Sequence, residues 1–288
     1  LRTDDEERRP GADHEERADR EELLHGLGAV EPRRPARARV DRDETVRGGQ
    51  QVAVADRLVV TEGAVEKHIS NVFMKLGLEV EVIWSDDGNE VAVQIHSVDN
   101  KDRWLASVDL TTAKLQPRHR LTDDAWINWG FNEFGWLPDN KTLWWLSEQS
   151  GYAHLYATEG NKARQLTKGK WEVSAPQVSA DGRGFFFLCN REWPGDYEVC
   201  KLDLASELVT EVTALDGVED FTQSPDGSRL LVRHSRSYTP AQLSLVDATG
   251  GSAKALTDTR AEGFKARAWI QPEIVQVPSK HGAGTIWG

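Results

Sequence analysis

Two cysteines, one histidine flanked by tyrosines and a few serines beside glycines are the side chains here whose type and spacing could do chemistry. Cys189 and Cys200 stand equidistant from the Pro194-Gly195 turn in "CNREWPGDYEVC". A hairpin centred on that turn sets them opposite each other on two strands, within bonding reach. Two buried free thiols are the favoured reading, and a bond is the alternative that an oxidising compartment would allow. His154 in "GYAHLY" lies between Tyr152 and Tyr156, with no Cys, Asp or second His at ligand spacing. It reads as a packed strand histidine, and neither a metal nor any other cofactor is expected. Glu172 in "WEV" is a lone carboxylate without a partner for acid–base work. A serine nucleophile of the strand-to-helix kind needs G-x-S-x-G, and both "TGGSAK" and "PDGSRL" lack the second glycine. "HGAG", His281 to Gly284, reads as a hairpin turn. No Ser-His-Asp triad is encoded.

The elements that would carry these residues repeat. From Val80 onward apolar residues recur with period two, and an acidic turn precedes each apolar run: "SDDGNEVAVQI", "LPDNKTLWWL", "SADGRGFFFL" and "SPDGSRLLV". A second marker, Leu121-Thr122, Leu166-Thr167, Val212-Thr213 and Leu256-Thr257, recurs at separations of 45, 46 and 44 residues. A unit of that length holding four short strands is a β-propeller blade. The adjacent Trp144 and Trp145 in "TLWWL" must then point to opposite sheet faces, each toward a neighbouring blade. The expected fold is all-β: an open arc of about four four-stranded blades over 80–288, preceded by a short helix-turn-helix-like segment at 49–79 and a disordered charged leader at 1–48.

Composition marks the same division. The chain has 288 residues and a net charge of −12, which opposes phosphate binding, so DNA is not an expected partner. No apolar run reaches the ~18 residues of a membrane span, and no membrane association is expected. Residues 1–66 hold twelve arginines, no lysine and no aromatic, whereas all eleven tryptophans lie between Trp84 and Trp287. Dense mixed charge without aromatics cannot offset chain entropy, hence the disordered leader. In "VADRLVVTEGAVEKHISNVFMKLGL", Val65, Ile69, Val72, Phe73 and Leu76 fall at helical spacing after a Thr61 cap. Ala55, Leu58, Val65, His68 and the Lys75-Leu76-Gly77-Leu78 ending make this segment resemble the DNA-binding end of LuxR-type response regulators. That resemblance implies a groove-facing surface of Glu66, Lys67 and Ser70. The family's first helix is absent, so a remnant that binds nothing is the preferred reading, with a DNA-binding regulator as the alternative.

The blades carry a second resemblance. "WLSEQSGYAHLY", "QLTKGKWEV", "NREWPGDYEVCKLDL" and "QPEIVQVPSK" are similar to the propeller of dipeptidyl peptidase IV, in the prolyl oligopeptidase family, over residues 81 to 288. The resemblance implies the second half of a propeller that gates peptide access to an α/β-hydrolase domain. The parent activity would be release of N-terminal dipeptides ending in proline, in the periplasm for bacterial forms and in the cytoplasm only if the LuxR-like segment functions. It also implies that Phe131 and Asn132 in "WINWGFNEFGW" stand where the family has an aromatic-Arg pair at a substrate subsite. Asn132 in the arginine's place departs from the pattern, and a blade-core role for Phe131 is the competing reading. Without the hydrolase domain the chain itself is expected to be inactive. A protein-binding propeller scaffold is the rival function. The composition break reads as a fusion of unrelated reading frames. A half-ring would leave its end faces bare near Trp84 and Val91 and near Trp269 and Ile274, favouring a homodimer.

Overall fold

The computed structural model of the chain describes residues 78–288, apart from 113, 160, 161, 216, 271, 274 and 283. The leader, Glu66, Lys67, Ser70 and nearly all of the LuxR-like segment therefore lie outside the described residues, as does Ile274. The expected end of the helical segment at residue 79 is corrected. Leu78 and Glu79 open the first strand, where Leu78 pairs with Ser97 and buries its side chain.

Four four-stranded antiparallel sheets follow one another in chain order, each with its strands in sequence order. The first blade holds β1 (Leu78–Trp84), β2 (Val91–Ser97), β3 (Asp102–Asp109) and β4 (Lys114–Thr122). The second holds β5 (Phe134–Trp136), β6 (Leu143–Ser147), β7 (His154–Glu159) and β8 (Lys162–Gln165). The third holds β9 (Val173–Val178), β10 (Gly184–Cys189), β11 (Glu198–Asp203) and β12 (Val209–Glu211). The fourth holds β13 (Val218–Gln223), β14 (Arg229–Arg236), β15 (Thr239–Asp247) and β16 (Lys254–Ala255). A four-residue helix α1 (Glu262–Lys265) and a hairpin of β17 (Gln276–Pro278) and β18 (Thr285–Trp287) follow, with His281 and Gly282 in the hairpin's turn. This is a partial β-propeller, open rather than closed.

Each repeat signal does identifiable work. In the acidic turns Asp87, Asp181 and Asp226 accept from Ser85, Ser179 and Ser224 hydroxyls at 2.6–2.7 Å and from the backbone N–H two residues on. Between those two donors the chain turns back through a left-handed residue, Gly88, Gly182 or Gly227, with Asn140 in the same place in the second blade. Only glycine or asparagine takes that conformation at low cost, which is why the turns read Asp-Gly or Asp-Asn. The marker threonine ties the outer two strands together. The hydroxyls of Thr167, Thr213 and Thr257 accept from the N–H of Leu155, Val199 and Leu243, and Thr122 donates to Asp102.

The core sits between blades. Ala92 and Leu105 meet Phe134, Leu143, Trp145 and Tyr156 at the first joint. At the second, Trp144, Leu146 and Leu155 meet Phe185, Phe187 and Leu202. At the third, Phe186 and Val199 meet Phe221, Leu230 and Val232. Trp144 and Trp145 thus serve opposite joints, as the period-two pattern requires, and so do Phe185 and Phe186. Each such side chain contributes about 2 kcal/mol relative to exposure. The two ends of the arc differ. Leu256 and Trp269, which follow the last strand of the fourth blade, are 49% and 42% exposed. At the first blade the expectation of a bare face is corrected: Val91 is 4% exposed, and Val93 and Ile95 are buried with it. Val80, Val82, Trp104 and Leu115 pack against that cluster.

Candidate functional site

Sequence reasoning singled out Phe131 and Asn132, and Asn132 lines a groove beside the first joint. A single 3-10 turn, Trp129–Phe131, is capped by Asn128, whose Oδ1 accepts from the Gly130 N–H at 3.0 Å. Asn132 ends the turn with its side chain 5% exposed and its Nδ2 donating to the Asn128 carbonyl at 2.7 Å. Phe131 is half-buried. Asn132, Glu133 and Trp129 line a cavity of about 490 Å³ together with Glu79, Glu81, Gln94 and His96, and Phe131 is not among its walls.

A guanidinium holds this arrangement from behind. Arg103 is fully buried, and it donates to Gln94 Oε1 at 2.6 Å, to the Leu146 carbonyl at 2.5 Å and to the Asn132 carbonyl at 2.9 Å. It fixes the turn bearing Asn132 to both blades. Burial pulls its pKa down to about 9, with Glu133 and Glu81 opposing the shift, so it stays charged at neutral pH. Sequence reasoning missed Arg103. Two of its three partners lie 29 and 43 residues away, and no local pattern announces them.

The groove itself is anionic. Glu81 accepts from Gln94 Nε2 at 3.3 Å, and Glu79 lies 3.2 Å from His96 Nε2. The His96 ring packs at 4.0 Å on Trp129, whose indole N–H donates to Asn100. Burial lowers the His96 pKa despite Glu79, and burial raises that of Glu133. Three carboxylates and an indole wall suit a cationic or polar group, and no serine or cysteine lines the cavity.

The remaining candidates resolve as structural. His154 is buried, with Nδ1 3.0 Å from Thr167 Oγ1 and Nε2 3.1 Å from the Gly169 carbonyl. Glu172 accepts from the Tyr197 hydroxyl at 3.1 Å. The cysteines are corrected: they form a disulfide, not two free thiols. They are also not directly opposite, since Cys189 pairs with Glu198 and Cys200 with Phe187. The tight turn from Trp193 to Asp196 sits off-centre in the 190–197 loop, which shifts the register by two and puts the cysteines on a diagonal of one face. Glu211 comes near both sulfurs, but they are bonded to each other and supply no thiolate pair to a metal.

The comparisons with known proteins bear on this architecture. The family model described as the dipeptidyl peptidase IV (DPP IV) N-terminal region matches residues 51–241. The chain belongs to that family. Its match reaches back through most of the segment that resembles LuxR-type regulators, and no comparison supports the LuxR-type resemblance or a fusion boundary there. The probable dipeptidyl peptidase 4 of Aspergillus clavatus is 29% identical over 103 residues, covering 33% of this chain and 13% of that protein. The crystal structure of Porphyromonas gingivalis dipeptidyl peptidase 4 superposes with a TM-score of 0.60 at 20% identity, over 73% of this chain and 31% of that one. A Bacteroides ovatus structure gives 0.61 at 17% identity, over 73% and 33%. These two show the propeller fold. The chain spans a third or less of the length of each of these relatives.

Proposed function

We propose that this chain is the second half of the propeller of a DPP IV-type serine peptidase and gates peptide access to a hydrolase domain. The parent activity is release of Xaa-Pro dipeptides from peptide N-termini. The observation that carries this reading is the family match together with blades of the DPP IV kind that hold an anionic, indole-walled groove. In it Asn132 and its turn border the peptide's path, and Arg103 positions that turn without touching substrate. The chain on its own is inactive in this reading, because it holds no G-x-S-x-G serine.

The test uses two proteins: this chain, and a polypeptide in which it is followed by a DPP IV hydrolase domain. The chain alone is expected to release nothing from an Xaa-Pro anilide beyond a heat-killed control. The longer protein is expected to cleave short peptides and spare long ones, and to lose that size preference when the blades are removed. Turnover by the repurified chain alone, or a size preference indifferent to the blades, would overturn the proposal.

A further inference from the structure

The third joint is the place where two successive sheets pair directly, through a parallel bridge between Tyr197 and Val218. Two carboxyls meet beside it. Glu198 opens β11 and Glu219 lies in β13, buried at 3% exposure. Between them stands the marker threonine of the third blade, with Thr213 Oγ1 2.8 Å from Glu198 Oε2 and 2.6 Å from Glu219 Oε2.

Counting hydrogens decides the state of this cluster. A threonine hydroxyl has one hydrogen to donate and accepts through its lone pairs. Thr213 Oγ1 already accepts from the Val199 N–H at 2.7 Å, and its single hydrogen can satisfy one carboxyl only. The other carboxyl, within hydrogen-bond distance of the same oxygen, must bring a hydrogen of its own. The surroundings say which one. Glu198 receives the Leu215 N–H at 3.2 Å on both oxygens. Glu219 receives a share of the Val199 N–H at 3.1 Å, and its Oε1 is buried with no partner, which an anion could not tolerate. From β11 and its leading loop the nearby acids are Glu198 and Asp196, the latter accepting from the Gly217 N–H at 3.0 Å, and from β14 the residue opposite Glu219 is His234, whose Nε2 lies 3.0 Å from Ser244 Oγ. Among the described residues no cation pairs with Glu198 or Glu219.

We infer that Glu198 and Glu219 share one proton at neutral pH and form a pH-sensitive latch between the third and fourth blades. Burial and the neighbouring Glu198 both push the Glu219 carboxyl above the ordinary range, in agreement with the hydrogen count. Ionising both carboxyls would set two anions on one hydroxyl in a buried joint. The joint would loosen beside the cavity of about 540 Å³ that Trp193, Asp196, Gly217 and Val218 help to line. The native state holds a proton that the unfolded chain releases at the ordinary glutamate pKa. The latch is therefore intact below that pKa and is lost as pH rises through the raised one.

Urea unfolding of the full chain tests this between about pH 5 and about pH 9. The wild-type unfolding constant should rise by up to about tenfold per pH unit over part of that range, and Glu219→Gln, which donates at every pH, should flatten the rise. Parallel profiles for the two proteins would overturn the inference. Should Glu219→Gln not fold, infrared spectra of a chain carrying Glu133→Gln and Glu148→Gln decide instead, those two carboxyls also being raised by burial. A protonated-acid carbonyl band persisting at neutral pH supports the latch. Its absence overturns it.

Discussion

The first and third joints both bury ionisable groups, and they satisfy them in opposite ways. At the first, Arg103 spends its donors on one side-chain amide and two backbone carbonyls. At the third, two carboxyls converge on a hydroxyl that has a single hydrogen to give. Strand ends and turns readily offer spare carbonyls, so a buried guanidinium finds acceptors without help from pH. Carboxylates need N–H groups, which the sheet ladders have mostly consumed, so a proton fills the deficit. The second joint does neither. It is apolar, with Trp144 edge-on to Phe185 at 5.4 Å and the disulfide within the packed cluster.

The contrast is broken most severely at the first joint. Arg103→Ala strands three buried acceptors and is expected to cost about 3–5 kcal/mol in urea unfolding. Arg103→Lys, which keeps the charge but loses the fork, should lose less. Next comes the apolar joint: reducing Cys189–Cys200, which are 11 residues apart, should lower stability by about 2–3 kcal/mol. Thiol alkylation followed by mass measurement confirms the reduction.

The pH dependence of the first joint sharpens the comparison. His119 packs on Trp145 and lies 3.2 Å from Ser147 Oγ, and burial followed by Arg103 depresses its pKa to about 4. A depressed histidine favours the native state above its ordinary pKa and loses that contribution as pH falls toward the folded value. After allowance for partial exposure, about 1–2 kcal/mol should disappear between about pH 6.5 and pH 4, and His119→Gln should remove this acid limb. The first joint then fails in acid and the third in alkali. The smallest effect is expected from Thr257→Val. It removes the bond to the Leu243 N–H at 2.9 Å within the last blade and should cost about 1 kcal/mol, leaving the pH profile unchanged.

What the sequence disclosed was local. The marker threonines and turn aspartates were legible because each works within its own blade, across 2 to 20 residues. Trp144 and Trp145 were legible because strand alternation alone sends them to opposite joints. The cysteine register misled because an off-centre turn is invisible to a count of residues. Phe131 and Asn132 were singled out by resemblance, and of the two only Asn132 lines the groove. Arg103 and the Glu198–Glu219 pair were missed because their chemistry exists only once two blades meet.

Because every sheet is built from consecutive strands, no strand waits for a partner from a distant part of the chain. A blade can be completed as soon as its own marker threonine has left the ribosome, and the next blade then settles on a finished surface. Synthesis order and assembly order are then expected to coincide. A ribosome pausing between markers would hold a whole number of finished blades plus one unfinished hairpin, so limited proteolysis of stalled chains should give products stepping by one repeat.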